Sequence, residues 1–136
     1  MREKGRLLLV PGPYIDRALL KKVFGEKYDV RTVEAERALE LLLAQKGGYS
    51  VMLLDCCKEE EQRMDLLRAI RREPALMDLP VVVAVPSSEA ATRALHLGAA
   101  DCVAVPVVPE ILKLRVDYSI EKRILEAGSS LQSLWK

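Results

Sequence analysis

Residues 51–55 read Val51-Met52-Leu53-Leu54-Asp55, four apolar side chains in succession closed by a carboxylate. Alternation would mark a strand with one wet face, whereas an unbroken apolar run fits a strand buried on both faces. Pro80-Val81-Val82-Val83-Ala84-Val85 is a second such run and the most β-branched stretch of the chain, which suits a central strand. Leu7-Leu8-Leu9-Val10 and Cys102-Val103-Ala104-Val105 repeat the pattern nearer the two ends, and Tyr28 to Val33 adds a short, partly alternating strand.

Amphipathic stretches fall between these runs. Ile15, Ala18, Leu19 and Val23 have helical spacing over Tyr14 to Phe24, and Gly25 ends that helix. Glu34 to Gln45 predicts a second helix with Ala38, Leu41 and Leu42 inward and Gly47-Gly48 after it. Glu60 to Arg72 predicts a third, with Met64, Leu67 and Ile70 inward and charges outward. Ser87 or Ser88 can cap a fourth that runs to Leu97, where Gly98 stops it. Pro109 opens a long final helix expected to reach Ala127. Five strand–helix repeats with continuous apolar strands predict an α/β domain, a parallel sheet covered by helices on both faces.

The bulk composition agrees with that reading. The 136 residues suffice for one domain, 50% are hydrophobic and 30% charged, an ordinary globular balance. A formal net charge of +1 offers no basic excess for a nucleic-acid surface. No apolar run approaches the ~20 residues of a membrane span, and the charged Met1-Arg2-Glu3-Lys4 is followed by too short an apolar stretch for a signal peptide. A cytoplasmic protein without membrane or nucleic-acid partners is expected. Adjacent Cys56 and Cys57, about 3.8 Å apart at Cα, are too close for an unstrained bridge, and Cys102 is remote. Free thiols are expected.

Chemistry in open parallel sheets gathers beyond the C-terminal strand ends, here Pro11, Gly12, Asp55, Cys56, Val85, Pro86, Val105 and Pro106. At this point the chain resembles the receiver domain of bacterial response regulators. Leu53-Leu54-Asp55 is similar to the phosphoacceptor strand, and Asp65 to Arg71 with Pro74-Ala75-Leu76 to the third receiver helix and its exit. Leu79-Pro80 before the valine run resembles the fourth strand. Leu97-Gly98-Ala99-Ala100-Asp101 is similar to the Gly-Ala-Asp-Asp turn before strand five, and Pro106 to the end of the Lys-Pro pair. The resemblance covers about residues 5 to 123. It implies a flavodoxin-like, doubly wound sheet in the order 2-1-3-4-5 with five helices.

The resemblance also implies a site in which a carboxylate accepts a phosphoryl group. In the family, an acidic pair after strand one holds Mg²⁺ with that carboxylate, a hydroxyl ends strand four and a lysine ends strand five. Here the acidic pair aligns with Pro11 and Gly12, the hydroxyl with Val85, the lysine with Val105 and the aromatic switch with Cys102. Only Asp55 and Pro106 remain. Loss of one transition-state stabiliser typically costs about 3–4 kcal/mol, and several are missing, although such losses do not sum. The expectation is a degenerate, non-enzymatic receiver without cofactor, acting on a protein partner such as a kinase, an output domain or another regulator.

The alternative is an atypical acceptor at Asp55 that takes Mg²⁺ with Glu59 or Asp101 replacing the lost acids. A small-ligand domain on the same fold ranks below both, because Pro11-Gly12-Pro13 has too few N–H groups to cradle an anion. Lys58-Glu59-Glu60-Glu61 reads as a solvated helix start, Cys56-Cys57 as buried inert thiols, and His96 as a helix-end surface residue. In the final helix, Ile111, Leu114 and Tyr118 form one apolar line, and Leu112, Val116, Ile120 and Ile124 another. Either one line covers the sheet and the other is free for a partner or a second copy, or both belong to one wide buried face followed by a frayed tail. Gly128-Ser129-Ser130 reads as a break. Residues 1–125 are thus expected to form the domain and 126–136 a tail or linker to a missing output domain, with a small apolar patch at Leu131, Leu134 and Trp135.

Overall fold

A computed structural model describes residues 4–45 and 48–133, with side chains described through Glu126. Its strands are β1 (Gly5–Val10), β2 (Tyr28–Thr32), β3 (Val51–Asp55), β4 (Val81–Val85) and β5 (Asp101–Ala104). Its helices are α1 (Arg17–Phe24), α2 (Ala35–Ala44), α3 (Glu60–Arg71), α4 (Ser88–His96) and α5 (Pro109–Ser133), with one 3₁₀ turn at Pro74–Leu76. The five strands form one parallel sheet in the order β2-β1-β3-β4-β5.

Every residue of β3 and β4 is buried, as their unbroken apolar runs require. The twofold strand period divides the core into two layers. Leu8, Val10, Met52, Leu54, Val81 and Val83 pack with Ala38 and Leu42 of α2, Met64, Leu67 and Ile70 of α3, and Ala90 and Ala94 of α4. Leu7, Leu9, Val51, Leu53, Val82 and Val103 pack with Leu20 and Phe24 of α1 and Leu112 and Val116 of α5. Among the described residues, no helix is long and apolar enough to cross a membrane.

The helix ends follow local chemistry. Ser87 Oγ accepts from Ala90 N at 3.1 Å and caps α4. Gly98 follows this helix with φ +106°, a conformation open to glycine and costly for any other residue. Its open side is filled by Arg71, whose guanidinium bonds the carbonyls of Met77 and Leu79 and ties the end of α3 to the entry of β4.

Three expectations need correction. α1 starts at Arg17, not Tyr14; Asp16 is its cap, with Oδ1 accepting from Leu19 N at 2.8 Å, because the N–H groups of Tyr14 and Ile15 are taken by Asp55. α5 runs through Gly128 to Ser133; a glycine inside an established helix costs only about 1 kcal/mol relative to alanine. The line read as Leu112, Val116, Ile120 and Ile124 divides along the helix: Leu112 and Val116 are fully buried, whereas Ile124 is 67% exposed. Gly47 and the apolar patch expected of Leu131, Leu134 and Trp135 lie outside the residues described in that detail.

Candidate functional site

The C-terminal ends of β1, β3, β4 and β5 lie side by side through parallel pairing. Asp55 closes β3 opposite Ala84, and Val85 closes β4 opposite Ala104. Pro11 and Gly12 follow β1, while Val105 and Pro106 follow β5. The positions singled out from sequence are therefore gathered at one sheet end. Val85 is buried against the α2–α3–α4 layer, and Val105 packs on the opposite layer.

Asp55 is fully buried. Its Oδ2 accepts from Tyr14 N at 2.6 Å and Ile15 N at 2.8 Å, and its Oδ1 from Cys57 N at 2.9 Å. Such charge-assisted bonds are stronger than neutral ones. They bind the loop after β1 to the loop after β3. Gly12 makes the approach feasible: a Cβ there would lie 2.6 Å from Asp55 Cγ and 2.8 Å from Oδ2.

The second charged group of the site is Arg63, on the first turn of α3 and only 6% exposed. Its Nη1 donates to the carbonyls of Pro11 at 2.7 Å and Asp55 at 2.8 Å, so one guanidinium nitrogen bridges the ends of β1 and β3. Nε is buried without a hydrogen-bond partner among the described residues. Arg63 also lines a polar cleft of about 530 Å³ whose other walls include Thr32, Glu34, Glu36, Lys58 and Glu59. Arg63 departs from the outward-facing charges expected of α3. The signal was present: Arg63 lies four residues before Leu67 and seven before Ile70, on the helix line that those two bury.

The other candidates have plainer surroundings. Glu60 and Glu61 open α3 and pair with Arg93 of α4. Glu59 precedes the helix in a left-handed conformation, φ 49°, and its side chain does not cap it. Asp101 begins β5, two residues before the one that pairs with Ala84, so it stands about 12 Å from Asp55 by strand spacing and rise. It accepts from Cys102 N and pairs with Arg115.

Burial pushes the Cys56 thiol from 9.0 up to about 12, with Arg63 pulling down and Asp55 pushing up. Cys57 is raised to about 12 by burial and then Asp55, and Cys102 to about 11 by burial and then Asp101. At neutral pH all three are thiols, and the thiolate is the form that attacks or ligates. Among the described residues, no three His, Cys, Asp or Glu side chains converge on a point where a metal ion could sit.

The Mg²⁺ of the resemblance does not fit these residues. A hard divalent ion needs anionic oxygens with free lone pairs. Pro11 and Gly12 supply none, the Asp55 carboxylate already accepts three N–H bonds, and the nearby carbonyls hold a guanidinium.

No family model matches the chain. The two-component response regulator ORR3 of Oryza sativa subsp. indica is 32% identical over 108 residues, which cover 76% of this chain and 81% of that protein. The alginate biosynthesis transcriptional regulatory protein AlgB of Pseudomonas putida is 30% identical over 129 residues, 91% of this chain; the chain spans only 28% of AlgB. Among solved structures, a response regulator receiver domain protein from Clostridium thermocellum superposes with a TM-score of 0.73 at 18% identity, covering 89% of this chain and 98% of that one. That last likeness is one of fold.

Proposed function

This chain belongs to the response-regulator family as a receiver domain of two-component signalling, and we propose that it signals by binding a protein partner without being phosphorylated. The observation that carries the proposal is the state of Asp55. Its two carboxylate oxygens accept three bonds from the N–H groups of Tyr14, Ile15 and Cys57, and the Gly12 backbone lies against the same carboxylate. An attacking carboxylate would first have to break these bonds. It would then develop charge with no hydroxyl at Val85 and no lysine at Val105 to meet it. A kinase, an output domain or another regulator would be read by surface complementarity alone.

The surface that supports such binding is the outward side of α5. Ile111, Leu114 and Tyr118 are 44%, 67% and 60% exposed on one helix face, with Val108 just before them. A line of large apolar side chains left in water marks a contact surface. A second copy of the chain is an alternative occupant to a heterologous partner.

Intact-mass spectrometry after incubation with Mg²⁺ and acetyl phosphate tests the central point, with Asp55→Asn as control. An unchanged mass is the expected result. A phosphoryl adduct on the wild type that the Asp55→Asn chain lacks would overturn the proposal.

A further inference from the structure

We infer that the Arg63 guanidinium is a built-in cation, standing between the ends of β1 and β3 in place of a divalent metal. Burying an ionised side chain costs several kcal/mol unless its surroundings compensate it. Most of the charged residues of α3 remain at least partly exposed, yet Arg63 is 6% exposed. What it gains there is specific. One nitrogen holds the carbonyls of Pro11 and Asp55, residues from the ends of adjacent strands and 44 positions apart in sequence (55 − 11).

The chemistry explains why an arginine can sit where a metal does not fit. A metal needs anionic ligands, whereas guanidinium needs only acceptors in its plane, and backbone carbonyls suffice. Pro11 and Gly12 without carboxylates and a guanidinium at Arg63 are therefore mutually consistent features of this chain. The two charges do not compete for one another. Asp55 meets Arg63 through its backbone carbonyl, and its carboxylate faces the N–H groups of the loops. On the cleft that Arg63 lines, Glu34, Glu36 and Glu59 outnumber the one other cation, Lys58, so the potential there favours a cation, and the cleft gives a free one a route to the site.

The inference deepens the phosphate-independent reading and rests on it only in treating this sheet end as a receiver site that works without metal. Its test needs no phosphodonor, so the two can fail separately. Thermal melts of the full chain are compared in EDTA, in excess Mg²⁺ and in guanidinium far below denaturing concentrations. The wild type and Arg63→Lys, which keeps the charge, are expected to melt at the same temperature in EDTA and in both cations. Arg63→Gln, neutral but still a donor, is expected to melt roughly 5–10 °C lower in EDTA, as when a buried acceptor of a domain this size loses its partner. Part of that loss is expected to return with guanidinium and not with Mg²⁺, because the carbonyls of Pro11 and Asp55 offer acceptors but no anionic ligand. A residue acting only through its bulk gives no such rescue. A wild type stabilised by Mg²⁺, an Arg63→Gln chain as stable as the wild type, or one that guanidinium fails to stabilise or Mg²⁺ stabilises would each overturn the inference. If Arg63→Gln does not fold in EDTA, the wild-type and Arg63→Lys melts decide it, since Mg²⁺ stabilisation of either refutes a built-in cation and indifference of both upholds it.

Discussion

Gly12 and Asp55 stand so close that a single added carbon on Gly12 would lie 2.6 Å from Asp55 Cγ. The loop after β1 is drawn over the end of β3 by its own bond, Gly12 N to the Ile15 carbonyl at 3.0 Å. It is held there by the Asp55 carboxylate. A side chain at position 12 and the present Asp55 conformation exclude one another.

Gly12→Asp restores the acid that the family resemblance calls for, and it is expected to harm the domain. The new Cβ forces Asp55 off its three N–H partners or displaces the loop, a cost of about 1–3 kcal/mol for overpacking. Urea denaturation monitored by circular dichroism measures it. A variant as stable as the wild type would show that the contact relaxes freely.

Gly98→Ala is expected to cost a similar amount for a different reason. Its backbone sits at φ +106°, and the space beside it is filled by the Arg71 side chain. Conformations of this class cost about 1–3 kcal/mol for a residue with a Cβ. Removing Arg71 as well should not restore stability, because the carbonyls of Met77 and Leu79 then lose their donor. Melting curves of the two single variants and the double variant test this.

The thiols make the domain sensitive to alkali. Cys56 and Cys57 rise to about 12 and Cys102 to about 11 in the folded chain, from 9.0. A group whose folded value is raised contributes stability that is complete below its unfolded value and lost as pH climbs towards the folded one. The melting temperature should therefore be insensitive to these thiols below about pH 8 and fall above about pH 9. Cys56→Ala should flatten that fall. Equal alkaline slopes for the two chains would refute the assignment.

The exposed line on α5 should be dispensable for folding and needed for contact. Leu114→Lys and Tyr118→Lys change side chains that are 67% and 60% exposed, so stability should move by no more than about 0.5 kcal/mol. Binding to a cognate kinase or output domain, or self-association followed by sedimentation equilibrium, should weaken. Unchanged association in both assays would move the contact surface elsewhere.

The strands were legible because burial on both faces writes itself as an uninterrupted apolar run: Val51 to Leu54 and Val81 to Val85 can hardly be read otherwise. The receiver-like site positions were equally legible, each standing at the end of such a run. What sequence could not carry were contacts between distant residues. α1 begins late because Asp55, 40 residues away from Ile15, captures its N–H. Arg63 looked like one more charge on a charged helix until α3 was laid against the sheet and its Nη1 met Pro11, 52 positions earlier. Gly128 has the local propensity of a helix break, yet α5 continues through it, because one glycine is a small cost to a long established helix.

One layer of the core is assembled from the two ends of the chain: β1 and α1 come first, and α5, with Leu112 and Val116, comes last. During synthesis on the ribosome, the layer formed by α2, α3 and α4 can begin to close while translation continues. The opposite layer cannot, since the apolar side of β1, β3 and β4 stays only partly covered until α5 emerges. Even the entry to β3 waits for it, because the carbonyls of Tyr49 and Ser50 receive their bonds from Arg123. The nascent domain thus carries an uncovered sheet face until its last helix is made, and that interval, more than the finished fold, is when it is exposed to aggregation and to chaperones.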